Sequence, residues 1–270
     1  MLKLPTMLEL LQAGVHFGHK TVRRHPKMMP YIFGERGGIN IIDLDKTLSM
    51  TKTTLVRLQE IAARGGTVLF VGTKKQVSDT VRHEAESCGM PYVTNRWLGG
   101  TFTNFSEVSK QIRRYHDLKD KKESGVLARK YTKKEQVVFL REIDELEKKV
   151  GGISNMRRLP EAIIIIDCKK EKTALRESKI VNVPVFALLD TNVNPDDINY
   201  GIPANDDAVK TVNMMVHLFA EAIKAGQAHP VVERSGAVTT TTPVKSKVTG
   251  QASLLSENGA VVGTPFSDQA

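Results

Sequence analysis

AIIIID (residues 162–167) and PVFALLD (residues 184–190) are apolar at every position up to a terminal aspartate. A strand with one wet face alternates apolar and polar side chains. A continuous apolar run instead fits a strand covered on both faces, as in a parallel sheet lying between helices. EKTALRESKIVN, between the two runs, reads as their crossover helix. TVLFVG (67–72) and PYV (91–93) repeat the pattern, with a helical stretch from about 74 to 88 between them that Gly89 and Pro91 stop. YGIPAND (200–206) is a fifth, short strand, and Asp206 is placed to cap a last helix over about 207–225. Strands alternating with helices make an α/β fold, here with five parallel strands.

The segment 104–152 interrupts this alternation. Gln136, Phe139, Ile143, Leu146 and Val150 follow one another at spacings of 3, 4, 3 and 4, a heptad seam whose polar terminal member is Gln136. Val108, Ile112, Tyr115 and Leu118 offer a facing stripe, and Gly125 lets the chain double back into an antiparallel helical hairpin, a coiled coil. Asn104 with Glu107, and Thr132 with Glu135, carry the signature of helix N-termini.

Charge is distributed unevenly. The net +9 of the 270 residues is concentrated in two segments. Residues 1–36 hold six Lys/Arg against two acids, and residues 105–150 hold thirteen against nine. Residues 228–270 balance at three and three, which leaves +1 for 37–104 and 151–227 together. Within the insertion, residues 119–135 carry seven bases against three acids, so its excess sits at the tip. Solubilising charge would scatter; two cationic ends on a neutral body fit a polyanionic partner. The candidate contacts at the tip are Lys121, Lys122, Arg129, Lys130, Lys133 and Lys134.

Near the N-terminus, MLELLQAGVHF suits a short helix ended near Gly14 or Gly18. Lys20, Arg23, Arg24, His25 and Lys27 come next, with Pro26 and Pro30 favouring extended backbone. Bases on an irregular segment can track phosphates, which position a protein without reading sequence. His16 and His19, at i and i+3 of a helix, would present two rings on one face, and Asp190, Asp206 and Asp207 at later strand ends could complete a divalent site for zinc or magnesium. NRWLGGTFTNF (95–105) joins the second strand to the insertion. Its Gly-Gly pair permits a tight turn, its Trp97, Phe102 and Phe105 pin that turn to the body, and Arg96 and Asn104 remain for a polar partner. Arg157 and Arg158 add a minor phosphate contact where the chain returns to the sheet.

NRWLGGTFTNF, GVHFGH near the start and IPANDDA near residue 207 resemble, in order and without gaps, the bacterial S-two family of small-subunit ribosomal proteins, over about residues 5–226. The resemblance implies a flavodoxin-like three-layer sandwich and a structural role in the small subunit, bound to its rRNA. It also implies neighbouring ribosomal proteins as partners, including the large ribosomal protein one of that subunit. Where the family carries a tryptophan and an asparagine, this chain has Arg24 and His25, which shifts that site from stacking toward phosphate binding.

Four regions are expected: a basic segment 1–36 packed on the body, an α/β domain of 37–103 and 153–226, the hairpin 104–152, and a disordered tail 227–270 rich in Thr, Gly and Ser. Cys88 and Cys168 form no CxxC and read as buried, reduced thiols of a cytoplasmic protein. No apolar run reaches eighteen residues, and the N-terminus has no signal-peptide core, so no membrane partner is expected; nor is a homo-oligomer expected. Two alternatives stand beside the ribosomal reading: a nucleotide- or metal-binding α/β enzyme and an adaptor off the ribosome. VGTKK (71–75) has one glycine and matches neither GxGxxG nor GxxxxGK[ST], so an enzyme is not expected.

Overall fold

The computed structural model describes residues 3–230; the expected tail lies almost wholly outside them. In chain order the elements are α1 (Met7–Ala13), β1 (Phe17–Lys20), β2 (Ile32–Arg36), β3 (Ile39–Ile42), α2 (Leu44–Ala63), β4 (Val68–Val71), α3 (Ser78–Ser87) and β5 (Tyr92–Val93). Then come α4 (Phe105–Glu123), α5 (Val126–Lys130), α6 (Lys133–Val150), β6 (Ala162–Ile165), α7 (Lys172–Ile180), β7 (Val185–Leu189), β8 (Tyr200–Pro203) and α8 (Val209–Ala228).

Five strands form a parallel sheet in the order β5-β4-β6-β7-β8. Its side chains alternate between two apolar layers. Val68, Phe70, Ile164, Phe186 and Leu188 pack with α1, α2, α3 and α8, whereas Leu69, Val71, Ile163, Ile165 and Ala187 pack with α4, α6 and α7. Both layers are dry, which is why these runs contain no polar residue. Each large apolar side chain so buried contributes roughly 1.5–3 kcal/mol. Gly226 lets α8 lie directly on α2, because a Cβ there would strike the Gln59 carbonyl.

Two elements were not legible in the sequence. A three-stranded antiparallel sheet, β1-β3-β2, pairs Phe17–Lys20 of the N-terminal segment with Ile39–Ile42. Helix α2 buries Thr47, Thr51 and Thr54 alongside Leu55 and Leu58, so its inner face shows only a weak apolar period. Other expectations need correction. Helix α3 begins at Ser78, four residues late, because Lys74 is drawn into a turn. Asp206 does not cap α8. Ala208 stands at the N-cap without a side-chain bond, Asn205 accepts from the Asp207 and Ala208 amides just before the helix, and Asp206 is occupied elsewhere. Asn104 precedes α4, but its side chain makes no cap bond and accepts from the Ser106 hydroxyl. Thr132 and Glu135 do form the reciprocal capping box. Pro26 opens a 3-10 turn, Pro26–Tyr31, so the basic segment is not extended there.

Candidate nucleic-acid interface and strand-end cluster

The turn that includes the Gly-Gly pair is held by one carboxylate. Glu177, on α7 and only 5% exposed, accepts from the Trp97 indole (3.1 Å), from the amides of Gly100 (2.8 Å), Phe102 (2.9 Å) and Thr103 (3.2 Å), and from the Thr103 hydroxyl. Burial alone would raise its pKa; the amides of Phe102 and Gly100 and the Trp97 indole outweigh that and lower it. Gly100 supplies the left-handed conformation at φ +89, and Trp97 meets Phe102 edge-on at 5.0 Å. Sequence reasoning missed Glu177, because a lone glutamate in a short helix looks like any solvated one. Arg96 and Asn104 stay exposed beside this turn.

From there the hairpin leaves the body. Val108, Ile112, Tyr115 and Leu118 of α4 are buried with Ile143 and Val150 of α6, while Phe139 and Leu146 are partly buried. Arg114 reaches across to Glu142 with two bonds, at 2.9 and 3.2 Å. The tip includes the unexpected short helix α5, which buries Leu127. Lys122, Arg129, Lys130, Lys133 and Lys134 are exposed with no ion-pair partner among the described residues, whereas Lys121 bonds Asp117 at 2.6 Å. Arg157 is likewise unpaired among them; Arg158 pairs with Glu161 at 2.8 Å.

The N-terminal segment is built differently. It lies over the carboxyl ends of the parallel strands, and Thr191, just past β7, is its anchor. The Thr191 hydroxyl accepts from the His19 amide (2.9 Å) and its carbonyl from the His25 amide (2.8 Å). A Cβ on Gly18 would collide with the Thr191 side chain, so glycine is required for this approach. Met28 is fully buried beneath the segment. Above these anchors Lys20 and Arg23 project without an ion-pair partner among the described residues, Arg24 touches the Asn40 amide oxygen at 3.5 Å, and Lys27 pairs with Asp196. His25 is half-buried and caps the 3-10 turn, its Nδ1 accepting from the Lys27 amide.

Parallel strands bring their carboxyl ends to one edge of a sheet, and this edge gathers Asp167, Asp190, Asp206 and Asp207. Lys74 bonds three of them, Asp167 at 2.9 Å, Asp206 at 3.1 Å and Asp207 at 2.7 Å. His19 bridges Asp190 through Nδ1 at 3.0 Å and Asp207 through Nε2 at 3.4 Å. The bond to Asp190 raises the His19 pKa. Burial, together with the charges of Asp190 and Asp167, pushes Asp206 up to about 7. Ligand atoms of His19, Asp206 and Asp207 lie within 4.8 Å of one another. His16 is not among them. It stands in the turn before β1, not on a shared helix face, with Nδ1 buried and unpartnered and its ring 4.0 Å from Phe17. Lys74, a potential phosphate ligand of the first strand-end turn, is thereby committed to carboxylates.

Comparison with known proteins decides what this arrangement belongs to. The family model for ribosomal protein S2 matches residues 10–226. This chain belongs to the ribosomal protein S2 family. It is 47% identical over 221 residues to small ribosomal subunit protein uS2 of Fusobacterium nucleatum subsp. nucleatum, covering 82% of this chain and 90% of that one. It is 48% identical to the protein of the same name from Acidothermus cellulolyticus, covering 82% and 80% respectively. A third, from Micrococcus luteus, is 46% identical and covers 82% and 78%. The matched span contains both the parallel sheet and the inserted hairpin, which fits the flavodoxin-like fold expected of the family. Among the described residues no helix is long and apolar enough to cross a membrane.

Proposed function

We propose how this chain works as a structural constituent of the small ribosomal subunit: it clamps folded rRNA at two points. The observation that carries this is the contrast between two kinds of cation. Lys74, at the strand ends, is saturated with carboxylates, whereas Lys20 and Arg23 at one end and Lys122, Arg129, Lys130, Lys133 and Lys134 at the other face solvent with no ion-pair partner among the described residues. Unpaired exposed cations are free to displace counterions from phosphates, and they recognise the shape of RNA. Its partners are rRNA and neighbouring ribosomal proteins, ribosomal protein one included. It acts as a single copy in the cytoplasm, and it catalyses nothing.

Two variants test the clamp. Changing the five unpaired tip cations to glutamine, or Lys20, Arg23 and Arg24 to glutamine, weakens rRNA binding and flattens its salt dependence by up to ~0.9 per lost phosphate contact. Filter binding across a salt series reads both. An unchanged slope in either variant removes that end from the clamp.

The strand-end cluster supports a second reading, a structural divalent ion such as zinc or magnesium on His19, Asp206 and Asp207. Nitrogen and carboxylate oxygen are suitable zinc donors, and Asp190 on Nδ1 leaves Nε2 of His19 toward Asp207. Four carboxylates around one lysine and one histidine also leave negative charge to spare. Such an ion would tie β1 to the sheet. Zinc then raises the Tm of chelator-treated protein, and His19→Ala abolishes the rise; equal melting with and without zinc or magnesium rejects the site.

A further inference from the structure

A cavity of about 360 Å³ opens between α7 and the segment after β7, lined by neither the strand-end aspartates nor the residues of the two cationic ends. Its floor is apolar, made by Cys168, Leu175 and Val193. Lys169, Lys172, Arg176 and Lys179 stand around it. Lys179 pairs with Asp197; the other three have no ion-pair partner among the described residues. Asn192 also lines the cavity, and its Oδ1 is buried with no hydrogen-bond partner among the described residues. That oxygen is closed off from the cavity's free space and stays unpaired inside the fold.

We propose that this cavity takes one unpaired nucleotide, its phosphate among Lys169, Lys172 and Arg176 and its base on the Leu175–Val193 floor. The proposal rests on the rRNA-binding reading and adds to it a third contact, in which a base is packed. Three features converge. The volume lies at the lower end of the ~300–1,000 Å³ typical of small-ligand sites. The carboxyl ends of parallel strands are where open α/β sheets receive ligands. Bases splayed out of single-stranded RNA are recognised by packing on one face and by hydrogen bonds at an edge. A phosphate alone would satisfy the cations but leave the apolar floor unmet. An acidic side chain would do the same, because it brings no flat body to cover Leu175 and Val193.

The test uses the full chain, AMP, inorganic phosphate and small-subunit rRNA. Lys172→Gln with Arg176→Gln alters two exposed side chains on α7, and an unchanged Tm confirms the fold. In equilibrium dialysis the parent chain binds AMP more tightly than phosphate, the double variant binds AMP on the order of tenfold more weakly, and the five-fold tip variant binds AMP as the parent does. The double variant also loses about tenfold in rRNA affinity with a shallower salt slope. Equal AMP binding by parent and double variant overturns the pocket, as does AMP binding no tighter than phosphate. AMP binding with rRNA affinity unchanged in the double variant overturns the RNA source and leaves a free nucleotide as ligand. If the parent fails to bind rRNA at all while AMP still binds, the clamp reading fails and the pocket stands, so the two failures are distinguishable.

Discussion

The two cationic ends hold the same excess charge, yet they are held in opposite ways. The N-terminal segment is fastened by partners far off in the chain: His19 to Asp190, the His19 and His25 amides to Thr191, and the Asn40 amide to the His19 carbonyl. The hairpin tip is fastened almost wholly by its near neighbours: the Thr132–Glu135 capping box, Lys121 on Asp117, and Tyr131 edge-on to Phe139 at 4.9 Å. The first is a preformed surface whose geometry is that of the sheet beneath it. The second is an arm whose order depends on its own seam. If the two ends form the proposed clamp, one jaw is fixed and the other compliant, since local opening costs least where buried contacts are few.

The largest expected effect tests the root of the arm. Glu177 is the long-range fastening at the base of the hairpin, and Glu177→Ala leaves the Trp97 indole and three amides without an acceptor. Loss of a buried, multiply bonded carboxylate costs about 3–5 kcal/mol. Chemical denaturation reads this directly, and a loss below ~1 kcal/mol would mean that the turn holds its shape unaided. The pH dependence has a definite sign. The folded pKa of Glu177 is depressed, so its stabilisation is complete above the ordinary glutamate value near ~4.3 and is lost as pH falls through the folded value. Glu177→Gln therefore flattens the acid limb of the stability curve below about pH 4 while leaving the rest of that limb in place.

Why Glu177 escaped sequence reasoning, while the sheet did not, is a matter of range. A parallel strand is marked by its own consecutive residues, and Ile163, Ile164 and Ile165 need no partner to be read as buried. The capping box of α6 closes within three residues, so it was equally visible. Glu177 meets residues 74 to 80 positions away, and nothing near it signals them. Asp206 shows the same limit from the other side. Beside α8 it has the chemistry of a cap, but Lys74 from 132 positions away takes its carboxylate, and α8 starts at Ala208 with no side-chain cap. The basic residues were visible as composition; which of them would be paired, as Lys27 and Arg158 are, depended on acids brought in by the fold.

A smaller effect sharpens the contrast between the jaws. Ile143 is the most buried side chain of the middle of α6, and Ile143→Ala removes its contact with the α4 stripe at a cost of about 2–3 kcal/mol. The damage falls on the arm. Hydrogen exchange speeds up across 108–146 and stays at parent rates in 17–42, where the fastenings come from β3 and Thr191. Equal acceleration in both segments would show that the jaws are mechanically one unit.

The smallest effect isolates the tip. Thr132→Ala removes the hydroxyl that accepts from the Glu135 amide and frees Glu135, whose pKa is lowered by bonds from the Thr132 amide and hydroxyl. A lost N-cap of this kind costs about 1 kcal/mol, all of it in the first turn of α6. Global stability barely moves, because that turn touches little else, but Lys133 and Lys134 lose their fixed direction. If a compliant tip suffices for phosphate contact, rRNA affinity and its salt slope stay within about twofold of the parent, because phosphate contacts require charge more than orientation. A tenfold loss in affinity with the slope preserved would instead mean that the tip presents its cations in a set geometry, and the arm would then be as rigid a jaw as the docked segment.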